Sequence, residues 1–297
     1  MYVAVRMNSN RAAFSKNGKT WKEAILPAVA NWSAVAYGDG KFMAIAKGTQ
    51  ISAYSEDGIN WVETSMPREG DWSHICFDDH MFYAVGVNST YSAYYYNSEW
   101  RSINGKYIFE DGSCAIAGVT AKNCAVAIAI GNLLVYSHDG SSWTSMGVEL
   151  PSLSAGKWVD LFYNDGYLVA LSSSGTCAFI DATMFPNGTL QGTIQLDQTE
   201  NWKAVVANPS TYDTIFLGAS KVCRHDVEGM LKYVSLPSSS LYADIVYTGD
   251  QFVAIASDSP ACYSKDGVTW SNEHTAFEQG GIDITDSVIS FISSKLP

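Results

Sequence analysis

The composition of this 297-residue chain is that of a globular protein with an acidic surface: 47% of the residues are hydrophobic, 16% are charged, and the net charge is −12. Such a chain can bury a large core and is too apolar to be intrinsically disordered. Its negative surface repels phosphate groups, which argues against nucleic-acid partners and against binding to an anionic membrane.

The chain shows no signal for export or membrane insertion. Its first ten residues, MYVAVRMNSN, lack the long apolar segment of a signal peptide. The most apolar run, over 124–136, is interrupted by Gly131 and Asn132 and is too short to cross a bilayer. We therefore expect a chain without an N-terminal signal peptide.

A heptad of the form Ser-x-(Asp/Asn)-Gly-x-x-Trp, called the box below, occurs four times, at 15–21, 55–61, 137–143 and 264–270. Asp-Gly or Asn-Gly between apolar runs predicts a hairpin with a type I′ turn, because both central residues of that turn need a positive φ. The Trp gives the outgoing strand a large surface to bury. A hairpin that recurs at wide spacing indicates a repeat architecture.

The clearest repeat unit covers 32–67. Alternating or apolar segments predict four strands, which are 32–37, 42–46, 51–55 and 61–65. The first two are joined by a turn at 38–40 and the last two by the box turn, and Pro67 ends the last strand. The unit is therefore predicted to be a four-stranded antiparallel meander.

Related units begin near Trp72, Trp158, Trp202 and Asp244, with a less regular copy near 113, so the spacing is about 40 to 44 residues. Four strands at this spacing are typical of a propeller blade. The segment 2–5 matches a second strand with no first strand before it, and 286–291 matches a first strand with no second. One blade shared by the two termini would close the ring.

These observations predict an all-β fold, a seven-bladed β-propeller of four-stranded antiparallel blades with a composite blade of C-terminal and N-terminal strands. Six and eight blades are the alternatives, because the units near 113 and 202 are irregular. One domain, 1–297, would contain the blades, at approximately 1–28 with 284–297, 29–69, 70–111, 112–155, 156–200, 201–241 and 242–283.

The loops of such a ring fall on two faces. Turns between first and second and between third and fourth strands, such as 38–40 and 57–58, lie on what we call the turn face. Connectors between second and third strands and between blades, such as 47–50, 24–31 and 65–71, lie on the opposite, connector face. Propellers usually bind ligands on the face with the longer loops, which here is the connector face.

The box resembles the Asp-box, or BNR, repeat of sialidase-like propellers, although that repeat has one more residue between Asp and Gly. The whole unit, WSAVAYGDGKFMAIA followed by AYSEDGINW, looks more like the propeller repeats of bacteriophage tail and tail-fibre proteins. In the sialidase family the box is a structural turn far from the catalytic face. The resemblance therefore implies structural roles for Ser55, Asp57, Gly58, Trp61 and their equivalents.

No residue set indicates catalysis, a metal or a cofactor. A sialidase needs three clustered arginines and a Tyr/Glu pair, and none of the five arginines lies in that family's Arg-Ile-Pro context. The five histidines show no metal-ligand spacing, and no Gly-rich nucleotide motif occurs. The six cysteines, which contain no CxxC pair, are predicted to be reduced core thiols, with a disulfide between Cys114 and Cys124 as the alternative.

The residues that break the repeat are better candidates for function than those that obey it. The recurring tryptophans Trp32, Trp72, Trp158 and Trp202 are predicted to pack in the core. Four tyrosines depart from the repeat: Tyr91, Tyr94, Tyr95 and Tyr96. In the inter-blade connectors, the candidates for contact with a ligand or partner are Arg68, Glu69, Lys106, Tyr107 and Glu110, with Asp111 beside them.

The sequence, together with the resemblance, predicts a non-enzymatic structural or binding propeller. The resemblance implies a phage virion component, in a tail or tail fibre and assembled in the bacterial cytoplasm, with other virion proteins or a host surface glycan or receptor as partners. A carbohydrate-binding lectin is the first alternative, and a sialidase-like glycoside hydrolase is the second.

Overall fold

A computed structural model describes residues 1–18, 20–109, 114–119, 122–237, 241–256, 261–272 and 288–293. The fold of these residues is built from β-strands. The first half contains β1 (Tyr2–Arg6), β2 (Ser9–Ser15), β3 (Trp21–Gly38), β4 (Lys41–Ser55), β5 (Val62–Phe77), β6 (Phe82–Gly86), β7 (Ser89–Tyr96), β8 (Glu99–Phe109), β9 (Ile116–Val119), β10 (Cys124–Ala129), β11 (Leu133–Ser137) and β12 (Thr144–Glu149). The second half contains β13 (Trp158–Asn164), β14 (Tyr167–Ser172), β15 (Thr176–Asp181), β16 (Thr189–Gln195), β17 (Trp202–Ala207), β18 (Thr214–Gly218), β19 (Lys221–His225), β20 (Leu231–Ser235), β21 (Tyr242–Tyr247), β22 (Phe252–Ala256), β23 (Cys262–Ser264) and β24 (Val288–Ser293).

The described strands make up seven antiparallel blades. Blade 1 is β24-β1-β2 with the first half of β3, blade 2 runs from the second half of β3 through β4 to the first half of β5, and blade 3 is the second half of β5 with β6-β7-β8. Blades 4, 5 and 6 are β9–β12, β13–β16 and β17–β20. Blade 7 contains β21–β23, with Ser271 bridged to Tyr263.

The innermost strands close the ring. Each of β24, β3, β5, β9, β13, β17 and β21 contacts the next, and β21 contacts β24. The C-terminal β24 pairs antiparallel with β1, with Tyr2 opposite Ser293 and Val5 opposite Ser290. The predicted fold class, an all-β propeller closed by a composite blade, is confirmed.

The repeated tryptophans fill the core between blades. Trp32, Trp72, Trp158 and Trp202 are each at most 1% exposed, which confirms the predicted packing role. Tyr242 takes the same position in blade 7. Replacing one such buried tryptophan with alanine costs about 3–5 kcal/mol of folding free energy.

Two of the inter-blade connectors differ from the expectation. The sequence predicts connectors at 24–31 and 65–71, but these segments continue β3 and β5, so the two strands pass from the outer edge of one blade into the centre of the next. Polar contacts link the inner strands: the Ser33 hydroxyl donates to the Trp72 carbonyl at 2.7 Å, and Asp160 Oδ2 accepts from the Val205 N–H at 2.7 Å.

The box turns are held by side chains rather than by type I′ backbone geometry. In the box at 55–61 only Gly58 has a positive φ, of 70°, and no box Asp or Asn does. Instead, Asp57 Oδ1 accepts hydrogen bonds from the backbone N–H groups of Ile59 and Asn60 at 2.9 and 2.8 Å. The Asp57 side chain therefore closes the turn. The predicted type I′ turn is therefore wrong here, whereas positive φ values at Asp39 and Gly40 fit it at the first-to-second strand turn.

The six cysteines are all free and buried, as predicted, so Cys114 and Cys124 form no disulfide. Burial raises the pKa of the Cys124 thiol to about 12 and raises the pKa of Cys76 well above its usual value. These thiols are therefore unreactive in the folded protein.

Candidate functional site

A cleft of about 210 Å³ opens on the connector face of blade 3. One wall is the segment 68–72 of β5, which enters the blade, and the other is the segment 86–91, which runs from the end of β6 into β7. The cleft is lined by Arg68, Glu69, Gly70, Asp71, Trp72, Gly86, Val87, Asn88, Ser89 and Tyr91. We call it the blade 3 cleft.

Backbone and indole hydrogen bonds fix the positions of the two walls. The Val87 N–H donates to the Asp71 carbonyl at 3.0 Å, and the Trp72 indole N–H donates to the Arg68 carbonyl at 3.1 Å. Asn88 has a φ of 54°, a left-handed conformation that asparagine tolerates better than most residues, and its N–H donates to the Phe109 carbonyl at 2.5 Å. The cleft is therefore preformed by the fold.

The guanidinium group of Arg68 lies over the ring of Tyr91, with Cζ 3.6 Å from the ring centroid. Its Nε donates to the Glu69 carbonyl at 3.2 Å. Among the residues that the structure describes, Nη1 and Nη2 of Arg68 have no partner, whereas Arg101 and Arg224 form ion pairs. Stacking fixes the plane of the guanidinium and leaves its fork of donors for a ligand.

The repeat register shows that this arrangement is particular to blade 3. The residue four positions before the repeated Trp is Arg68 here, and Ala28 or Ser154 in blades 2 and 5. The residue aligned with Tyr91 is an aliphatic or a polar residue in three other blades, namely Ile51, Leu133 and Thr176. An Arg stacked on a Tyr therefore departs from the repeat at two positions at once.

Blade 6 shows a structural alternative at the same place. Lys221, which aligns with Tyr91, forms a 2.7 Å ion pair with Asp197 of the preceding connector. The Asp197 carbonyl also accepts the Trp202 indole N–H at 2.9 Å. There both charges are satisfied within the protein, so the contact clamps the connector and leaves no cation for a ligand.

The cleft contains two of the five predicted site residues, Arg68 and Glu69. Lys106 and Tyr107 lie on β8, with Lys106 Nζ 5.1 Å from the Tyr107 ring centroid, and do not line the cleft. Glu110, like its neighbour Asp111, lies outside the described residues. The sequence interpretation did not single out Asp71, Asn88 and Ser89; the only signal for them is their place in two connectors on one face.

The other tyrosines of β7 pack elsewhere. The Tyr95 ring lies edge-on to Trp100, with centroids 5.4 Å apart, and burial raises the Tyr95 pKa. Tyr96 lies at the turn-face end of β7, with Arg101 Cζ 5.8 Å from its ring centroid. Only Tyr91, at the connector-face end of the strand, joins the cleft.

The blade 3 cleft offers one cation, two carboxylates, an amide and a hydroxyl beside aromatic rings, which suits a polar ligand held by hydrogen bonds and charge. In the part of the chain that the structure describes, no cluster of three or more His, Cys, Asp or Glu side chains could hold a metal ion. Over the same residues, no helix has the length and hydropathy needed to cross a membrane.

Comparisons with known proteins bear on the fold. No family model and no curated protein matches the sequence. The fold is similar to virginiamycin B lyase from Staphylococcus aureus, with a TM-score of 0.68 at 14% identity over 84% of this chain and 85% of that one.

Two further structures show the same similarity. A functionally unknown protein from Desulfotomaculum acetoxidans gives a TM-score of 0.71 at 13% identity, over 96% of this chain and 97% of that one. The WD40 β-propeller domain of Doa1 gives 0.62 at 12% identity, over 92% and 90%. At these identities the similarity shows the propeller fold alone.

Proposed function

We propose that this chain is a non-enzymatic binding propeller that recognises its partner at the blade 3 cleft. The observation that carries the proposal is Arg68, which is stacked 3.6 Å over Tyr91 with its Nη atoms unpartnered in the described part of the chain. The chain has a net charge of −12, so an arginine left without a carboxylate partner, and held in place, suits recognition better than stability.

The proposed setting is a phage virion, in which the propeller belongs to a tail or tail fibre and contacts a host receptor or a neighbouring virion protein. The resemblance of the 32–61 repeat to phage tail repeats supports this setting. Six free, buried cysteines fit assembly in a reducing bacterial cytoplasm.

Purified phage particles test the setting. Quantitative mass spectrometry of such particles is expected to find the chain at a fixed copy number, and cross-linking is expected to join it to one virion neighbour. Particles without the chain would overturn the virion proposal but leave the cleft as a binding site, since the Arg68→Ala variant tests the cleft separately.

A carbohydrate-binding lectin is the second candidate, favoured by the amide and hydroxyl groups of Asn88 and Ser89 beside the aromatic rings of Trp72 and Tyr91. Asn8 and Ser9 of blade 1 align with Asn88 and Ser89, but the Arg68–Tyr91 stack has no counterpart at the aligned residues of blades 2 and 5, so a lectin of this kind would have one strong site. A glycan array probed with wild-type protein and Arg68→Ala tests it. Binding that Arg68→Ala does not change would place any sugar site elsewhere.

The glycoside hydrolase alternative is tested at the two acidic residues of the cleft, Glu69 and Asp71, because glycosidases use a pair of carboxylates. We expect no sugar release from aryl-glycoside substrates by the wild-type protein. Turnover that disappears in both Glu69→Gln and Asp71→Asn would contradict a non-enzymatic function.

A further inference from the structure

The turn face of blades 5 and 6 carries a group of exposed apolar side chains. Met184 is 78% exposed, Val227 70% and Met230 63%, and Tyr167 and Tyr212 are about half exposed. All five lie in or beside turns between first and second or third and fourth strands. We call this group the blade 5–6 patch.

Met184, Val227 and Met230 lie in the third-to-fourth strand turns, where the repeat would place a box. The third-to-fourth strand turns of blades 1, 2, 4 and 7 are boxes, with polar tips, whereas those of blades 5 and 6 read ATMFPNG and DVEGM. The two blades that replace the polar tip with methionine and valine are adjacent in the ring. The apolar surface is therefore a shared feature of two neighbouring blades and not an isolated exposed residue.

Contacts join the turns into one surface. The Ala182 N–H donates to the Gly166 carbonyl at 2.7 Å within blade 5, and the Tyr212 hydroxyl donates to Asp165 Oδ2 at 3.2 Å between the two blades. Within blade 6, Arg224 Nη2 is 3.0 Å from Asp213 Oδ1. The turns are consequently held in fixed relative positions.

Tyr212 is held in a conformation that an aromatic residue rarely adopts. Its φ is 59°, in the left-handed region, and its N–H donates to the Asn208 carbonyl at 2.7 Å. Glycine or asparagine would occupy this position with less strain. Because Tyr212 is also 52% exposed, packing offsets little of this strain, which points to a role at the surface.

Carboxylates predominate in the turns that form the patch. The segments 164–167, 181–189, 208–213 and 225–231 contain five carboxylates and no Lys or Arg. Arg224, which precedes the last segment, is paired with Asp213. The carboxylates are Asp165, Asp181, Asp213, Asp226 and Glu228. An acidic rim around an apolar centre disfavours a second copy of this chain, whose net charge is −12, and favours a cationic partner.

We infer that the blade 5–6 patch is a docking surface for a protein segment that is both apolar and basic, such as an amphipathic stretch with lysine or arginine on one side. Methionine side chains suit such a surface because they adapt to the shape of the partner. This surface lies on the face opposite the blade 3 cleft, so the inference stands independently of the proposed function.

The test uses the full chain and two synthetic helical peptides, one of leucine and lysine and one of leucine and glutamate, labelled for fluorescence anisotropy. We expect the lysine peptide to bind, with an affinity that falls as salt is raised, and the glutamate peptide not to bind. The double variant Met184→Ser with Met230→Ser is expected to weaken binding by about tenfold or more.

The matched control is Ile25→Ser with Val29→Ser, which removes two apolar side chains that are 55% and 70% exposed on β3. It is expected to leave binding unchanged, and circular dichroism with thermal melting shows that both variants fold. Equal binding of the two peptides, or equal loss in both variants, would overturn the inference. So would concentration-dependent self-association, in sedimentation, that only the Met184/Met230 variant abolishes.

Discussion

Replacing Gly140 with alanine tests how the box turns support the ring. Gly140 has a φ of 68°, and a Cβ added there would lie 2.3 Å from Tyr94 Cβ of the preceding blade. The left-handed φ costs an alanine about 1–2 kcal/mol, and overpacking adds about 1–3 kcal/mol. We therefore expect Gly140→Ala to lower the free energy of unfolding by about 2–5 kcal/mol.

Two other glycines separate these effects. Gly40 has a φ of 72° with nothing within 4 Å of an added Cβ, so Gly40→Ala incurs only the backbone cost of about 1–2 kcal/mol. Gly192, on the exposed strand β16, has neither a left-handed φ nor a neighbour within 4 Å, so Gly192→Ala is expected to be neutral or slightly stabilising.

Urea unfolding followed by tryptophan fluorescence measures all three variants, and thermal melting gives a second estimate. A loss of 1 kcal/mol lowers the Tm of a chain of this size by about 2–4 °C, so Gly140→Ala should melt about 4–20 °C below the wild type. If Gly140→Ala proves no less stable than Gly40→Ala, the box glycine is not required by contact with the preceding blade, and the reasoning fails.

Three further predictions concern charge, thiols and binding. Hydrogen bonds from the N–H groups of Asn60 and Ile59 lower the pKa of Asp57 from 3.8 to about 2, so its charged form stabilises the fold above pH 3.8 and this contribution is lost as the pH falls through 2. The stability gap between wild type and Asp57→Asn, measured by urea unfolding, should therefore be widest near neutral pH and should narrow from pH 4 to pH 2; a gap independent of pH contradicts this. The six cysteines should resist a thiol reagent in the native protein and react together in denaturant, so rapid labelling of the native protein would contradict their burial. In an equilibrium binding assay, Arg68→Ala should abolish binding of the partner. Arg68→Lys should restore little of the binding, because lysine lacks the planar guanidinium group that stacks on Tyr91. Full binding by the lysine variant would show that charge alone is recognised and would contradict this role of the stack.

The blade architecture could be predicted because local sequence patterns specify it. Alternating strands, the turn at Asp39-Gly40 and the repeated Trp32 position each specify structure within a few residues. Ring closure followed from comparing the two termini. The type I′ prediction at the box is wrong because the Asp57 carboxylate accepts the N–H groups of Ile59 and Asn60. The turn preference of the Asp-Gly dipeptide does not take into account that side chains compete with the backbone for these hydrogen bonds.

The candidate site was only partly predictable. The sequence indicates Arg68 and Glu69 by their place in a connector and Tyr91 by its departure from the repeat, but it does not show that Arg68 and Tyr91 meet. Tyr91 lies on a different strand and meets Arg68 only when β5 and β7 pack into one blade. Likewise, β3 and β5 continue through the predicted connectors because these segments pair with neighbouring strands. The hydrophobic periodicity of a single segment does not show which strand it will pair with.

Site-specific photo-cross-linking tests the blade 3 cleft most directly. A photoreactive residue placed at Ser89, which lines the cleft, is compared with one at Thr193, which lies on the exposed strand β16, in purified particles and with host cells. We predict a single partner cross-linked from position 89, lost when Arg68→Ala is added, and none from position 193. No product from position 89, or the same products from both positions, would contradict the assignment of the cleft as the binding site.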